Sequence, residues 1–133
     1  MKTKSKAAPT VEKDDRGRGQ AVCQLESIKE MVAALEGEDR EQAEQTIQEY
    51  PLSIEVRSGW HCPGAESTSE EFMILLGTGG PACRIIGELG QGDEPESPRL
   101  EYQDWFTPWQ ALPLSPEDCE AVLTYCRCFY FGS

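Results

Sequence analysis

The chain opens its apolar patterning at residues 20–36. There Val22, Leu25, Ile28, Val32 and Leu35 recur at intervals of three and four, which predicts a helix with one apolar stripe. Gly37 falls where a glycine stops such a helix. Residues 39–49 predict a second, more polar helix whose inner face is marked by Ala43 and Ile47, and Pro51 forbids its continuation. One long helix weakly broken at Gly37 is the alternative. The period then changes to two. Leu52, Ile54, Val56 and Trp60 share one face, and Ser53, Glu55 and Arg57 the other, which predicts a half-buried antiparallel strand.

A loop with Pro63 and Gly64 runs on to Ser69. The run Phe72-Met73-Ile74-Leu75-Leu76 predicts a central strand. Gly77-Thr78-Gly79-Gly80-Pro81 reads as a turn into a third strand over residues 83–89, paired with the second as a hairpin. Residues 90–98 read as an acidic loop rich in proline and glycine. Alternation returns over residues 99–106, with Leu100, Tyr102, Asp104 and Phe106 against Glu101, Gln103 and Trp105. The last element has the fullest signature: Ser115 as N-cap, Pro116 at the first helical position, and Glu117 and Asp118 in the first turn. Cys119, Val122, Leu123, Cys126, Phe129 and Tyr130 would line its inner face, with Gly132 as the stop. The sum is an α+β domain. An N-terminal helical segment precedes a four-stranded antiparallel meander sheet, and a C-terminal helix packs on that sheet.

Composition bounds what such a domain can do. With 133 residues and 38% hydrophobic positions there is room for one domain with a modest core. No apolar run is long enough to span a bilayer, and no apolar stretch follows Lys2, Lys4 and Lys6 as in a signal peptide, so the expected location is cytoplasmic. The formal net charge of −12 is unevenly spread: residues 1–19 sum to +3 and the remaining 114 to −15. Residues 1–19 lack large apolar side chains and read as a disordered basic tail; residues 20–133 form the acidic domain. Such a body repels nucleic acid and anionic membranes, which excludes direct binding to either, and attracts basic protein surfaces. Solubility alone is the plainer account of the charge.

No constellation announces a reaction. The six cysteines are Cys23, Cys62, Cys83, Cys119, Cys126 and Cys128, and no C-x-x-C pair is among them. Cys126 and Cys128 on one helix would point about 200° apart, too far to share a metal. The preferred reading is that Cys83, Cys119 and Cys126 are small buried hydrophobes. His61 is the single histidine, and its neighbour Cys62 would face away from it on a strand. The glycines after Leu76 lack the Lys-Ser/Thr of a phosphate loop and lead into a strand. Paired acids such as Glu70-Glu71 have no pocket signature and read as solvated positions. The expected catalytic, cofactor and metal sites are therefore none, and the protein is read as a non-enzyme.

One cluster suggests binding. Trp105, Phe106 and Trp109 fall within five positions beside Glu101 and Asp104, downstream of Asp93, Glu94 and Glu96. Packing between sheet and C-terminal helix is one reading of the rings. The other is an aromatic anchor ringed by acids, suited to an Arg- or Lys-rich partner. Asp93, Glu94, Glu96, Glu101, Asp104, Trp105 and Trp109 are the candidate partner-binding residues.

The strings PLSIEVRSGWHCPG (51–64), EFMILLGTGGPACRIIGELG (71–90), LEYQDWFTPW (100–109) and LTYCRCFYFG (123–132) resemble a family of small acidic proteins of bacteriophages, prophages and plasmids. The resemblance covers about residues 50–132 and implies a mobile-element setting in a bacterial host, with no catalytic residue to carry over. In that setting an acidic non-enzyme is expected to act as a nucleic-acid mimic. It would inhibit a host-defence complex of CRISPR or restriction type by occupying its basic surface. The alternatives are a phage accessory or structural protein, dimeric through an exposed sheet edge, and a thiol- or metal-dependent enzyme using His61 and the cysteines.

Overall fold

The computed structural model describes residues 8–60, 62–64, 70–78, 81–104 and 107–131, with side chains from residue 16 onward. The expectations for His61, Ser69, Gly79, Gly80, Trp105, Phe106 and Gly132 lie outside the described residues. Helix α1 (Ala8–Ala34) and helix α2 (Arg40–Glu49) come first. Strands β1 (Ser53–Arg57), β2 (Glu71–Gly77), β3 (Ala82–Leu89), β4 (Pro95–Gln103) and β5 (Gln110–Ala111) follow, and helix α3 (Pro116–Cys126) closes the domain. The strands form one antiparallel sheet in the order β1-β2-β3-β4-β5, a meander. The fold is α+β. The sheet has five strands where four were expected: β5 spans two residues, too few to show an alternation, and pairs with β4 through Tyr102–Gln110 and Glu101–Ala111.

Helix α1 packs on β3, β4 and α3, and α3 packs on β4. The buried stripe of α1 is Ala21, Leu25, Ile28, Met31 and Leu35, with Val32 at its margin. Val22, expected on that stripe, is exposed, because the packed face turns toward Ala21. From the sheet, Phe72, Ile74, Leu76, Cys83, Ile85, Leu100 and Tyr102 alternate into the same core. Each of the larger side chains contributes about 1.5–3 kcal/mol by leaving water. Burial alternates strictly in β2, with Phe72, Ile74 and Leu76 buried and Met73 and Leu75 half-buried, although its sequence is continuously apolar; among the described residues the helices lie over the first face.

Helix α1 starts twelve residues before the expected boundary at residue 20. At Gly17 its backbone lies against Asp104: a Cβ there would stand 2.9 Å from the carboxylate. Glycine permits that approach, and the end of the supposed tail is thereby packed onto the body. The expected Ser115 cap forms, its Oγ accepting from the Asp118 amide at 3.1 Å. Helix α2 is capped by Asp39, whose Oδ1 accepts from the Gln42 amide at 3.0 Å. Helix α3 ends at Cys126, one turn short of its expected length. The chain beyond it is not helical, so the facing residues change: Phe129 and Phe131 are buried and Tyr130 is exposed, reversing the expectation for Tyr130. Phe131 lies on Phe72 with ring centroids 4.8 Å apart.

At the centre of the helical layer Tyr125 is fully buried, edge-on to Phe129 at 5.1 Å. Nearby, Tyr50 donates its hydroxyl hydrogen bond to the buried Gln24. The Tyr125 hydroxyl has no hydrogen-bond partner among the described residues, and burial pushes its ionisation upward. An unpaired buried hydroxyl costs free energy that a phenyl ring does not. Tyr125→Phe is therefore expected to leave stability unchanged or raise it by about 1 kcal/mol in urea unfolding. A loss of that size would show that the hydroxyl is bonded.

Candidate partner-binding surface

The candidate residues do not form one patch. Asp93 and Glu94 sit at the tip of the β3–β4 hairpin, where a short 3-10 turn (Gln91–Asp93) is closed by the Gly90 amide donating to Glu94 O at 2.7 Å. Gly92, at φ 73°, supplies the left-handed step, and Asp93 follows at φ 61°. Glu96 lies in β4 and not in a loop, directly opposite Glu88. All three acids are exposed. Like charges facing each other across strands repel, and Arg99 moderates this pair by reaching Glu88 at 3.4 Å.

Glu101 belongs to a different environment. It projects from the uncovered face of the sheet, opposite Arg84 on β3. Its carboxylate meets Arg84 at 2.8 Å and Arg99 at 3.9 Å, and both Glu101 and Arg84 are mostly withdrawn from water. The Arg84 guanidinium in turn lies 4.0 Å over the Trp109 ring. Trp109 and Glu101 are thus joined, but through an internal arginine. Glu101, a candidate partner-binding residue, has its charge matched within the chain. Asp104 is likewise turned inward, with its carboxylate against α1 at Gly17 and its backbone bonded to Thr107. Trp105 lies outside the described residues. Sequence spacing missed Arg84 because it stands seventeen positions from Glu101 and meets it only through strand register.

The same pattern runs through the body. Lys29 pairs with Asp118 at 3.1 Å and Glu26 at 3.6 Å, Arg40 with Glu44 at 3.1 Å, and Arg57 with Glu71. The Lys29 ammonium holds the Asp118 carboxyl below its usual range, chiefly by hydrogen bonding, and Arg57 does the same to Glu71. Five of the six basic residues of the body are engaged in this way. The surplus acids remain at the surface, at the hairpin tip and at the α1–α2 junction, where Glu36, Glu38 and Glu41 are exposed.

The six thiols divide by burial, and Cys23 and Cys62 are exposed. Cys83 and Cys126 are buried; burial pushes the Cys83 thiol up to about 12 and raises Cys126 further. Cys119, expected to be buried with them, is only half-buried. Cys128 lines a hollow of about 830 Å³ between α2 and the end of α3, where it donates to Thr124 O at 3.4 Å and burial raises its ionisation too. A nucleophilic thiol needs the opposite shift. Among the described residues no three His, Cys, Asp or Glu side chains gather to hold a metal ion, and no helix is long and apolar enough to cross a membrane.

No protein-family model matches the chain, and no curated protein or solved structure is significantly similar to it.

Two outcomes are expected. Arg84→Ala and Glu101→Ala should be coupled by about 1–2 kcal/mol in a double-mutant cycle read by chemical unfolding, since each leaves the other's charge half-buried. Additivity within about 0.3 kcal/mol would show that the pair is solvated. The raised Cys83 contributes to the alkaline limit, together with Cys126 and Cys128, which burial raises in the same direction. The unfolded thiol ionises from about pH 9.0, the ordinary value, and the folded one only near 12. Stability should hold below about pH 9 and fall between there and 12. Cys83→Ala, compared with the parent across that range, should flatten the decline.

Proposed function

We propose that this protein is a non-enzymatic inhibitor from a mobile element. It engages the basic surface of a nucleic-acid-handling complex, of CRISPR or restriction type, through its surplus acids. The observation that supports this reading is the internal engagement of the basic side chains. Five of the six basic residues of the body are paired with neighbouring acids, so the net charge of −15 over residues 20–133 is carried by the acids left outside those pairs. A compact anionic surface competes with phosphates for the same cationic groove, and its attraction is long-ranged and screened by salt. The exposed hairpin tip with Asp93, Glu94 and Glu96 is the leading contact. The Arg84–Trp109–Glu101 array serves to hold β3, β4 and the β5 approach in register.

The test is capture from bacterial lysate on the immobilised protein at low salt, followed by challenge of the bound complex with duplex DNA. Release by moderate salt and displacement by DNA are expected. The triple variant Asp93→Asn/Glu94→Gln/Glu96→Gln should weaken capture on the order of tenfold, mainly by slowing association. Affinity that survives high salt, DNA and these substitutions would overturn the reading.

A further inference from the structure

Among the described residues, the edge strand β1 has an apolar flank that the helical layer leaves largely exposed. Its cross-strand partners Ile74 and Phe72 place Ile54 and Val56 on the helix side of the sheet. Yet α1 and α3 lie over β3 and β4, and β1 packs chiefly along β2. Leu52 is 59% exposed, Ile54 37%, Val56 41% and Trp60 fully. They were expected to be half-buried on that face; the helical layer stops short of them. Among the described residues no strand pairs with the outer edge of β1. Natural edges are usually blunted by charge on the exposed flank. Here the helix-side flank from Leu52 to Val56 has no charged residue, and Glu55 and Arg57 both lie on the other face.

We propose that a second copy of this chain docks on that edge, antiparallel about a two-fold axis at Val56, so that two five-stranded sheets become one of ten. Among the registers of this edge, the one centred on Val56 is the one that matches charges of opposite sign. With Val56 opposite its own copy, Glu55 faces Arg57 of the second copy and Arg57 faces Glu55, two opposite-charge pairs on the open face. The same register sets Ile54 opposite Ser58 and, if the pairing continues past the strand ends, brings the exposed Leu52 and Trp60 of the two copies together. A shift that centres the axis on Glu55 would instead set two glutamates face to face, which is unfavourable. Arg57 already meets Glu71 of its own chain and would then bridge two carboxylates. A two-fold pairing of this kind is self-complementary, and it closes both edges it uses.

This association differs in kind from binding through acids. Two bodies of like charge repel, so added salt strengthens the dimer, whereas it weakens an electrostatic complex. The experiment is sedimentation equilibrium of the purified full chain over a concentration series at low and high salt. The mass should rise from 14.8 kDa toward twice that value, more readily at high salt. Val56→Asp puts two carboxylates on the axis, and each substitution counts twice, so a loss on the order of tenfold is expected. Glu55→Arg and Arg57→Glu should each be monomeric alone. Mixed in equal amounts, those two variants should form a heterodimer, because every cross-strand pair is then of opposite charge. Recovery on mixing also shows that both variants are folded. A parent chain that stays monomeric throughout, or a dimer indifferent to Val56→Asp and to the charge reversals, would overturn the proposal. Neither result bears on capture of a basic partner, which is read separately by DNA displacement.

Discussion

The structure turns on one geometrical constraint: a five-stranded sheet is covered on one face by a helical layer narrower than itself. Helix α1 can press its stripe only on the strands beneath it, β3 and β4, with α3 alongside. The core is therefore centred there, on Ile28, Ile85, Leu100 and Val122, all fully buried. Over β2 the cover includes Gln24 of α1, beside Gly77, and Phe131, which the chain lays on Phe72 after leaving its helix at Cys126. Beyond that it ends, and β1 is left with an apolar flank in water. The short C-terminal segment thus shares in deciding where core stops and surface begins.

The uncovered face of the sheet is held by a different means. Arg84, Arg99 and Glu101, with Glu88 and Trp109, link β3, β4 and the approach to β5, and half-buried Met73, Leu75 and Ile86 fill between. Such pairs contribute little where they are fully solvated, but removing one partner from a shielded pair is costly. Their larger effect is on charge distribution. Each arginine fixed inside this network is unavailable to offset acids elsewhere. A chain with six basic and 21 acidic residues over its folded body therefore concentrates its negative field at the hairpin tip and along the helical layer.

Much of this architecture was legible in the residues. Helical spacing located α1, α2 and α3, capping chemistry fixed the start of α3 at Ser115, and alternation located the main strands. What failed were statements about neighbours. Alternation puts Leu52, Ile54 and Val56 on one face, but it carries no information on whether a helix is wide enough to reach them. The side of Tyr130 depended on the last turn of α3, and a helix one turn shorter inverts it. The anchor reading grouped Glu101 with Trp109 and missed Arg84, which touches both, since strand register is invisible along one strand. Asp104 looked free because the glycine that receives it lies in a segment whose composition suggested no structure.

The two surfaces left over constrain one another. An apolar edge strand on a nearly neutral protein invites indiscriminate pairing, and the acidic body suppresses this by keeping copies apart at low ionic strength. Within β1 the alternation of Glu55 and Arg57 narrows the choice further, since a strand must meet a charge with its opposite at both positions. The hairpin tip, by contrast, has no apolar component to supply affinity once its charge is screened. On the two proposals, long-range attraction and short-range burial fall to separate parts of the molecule: the acids would govern approach, and the edge what stays bound. A partner that used both would need a basic surface and a free strand of matching charge order, a more restrictive demand than either feature makes alone.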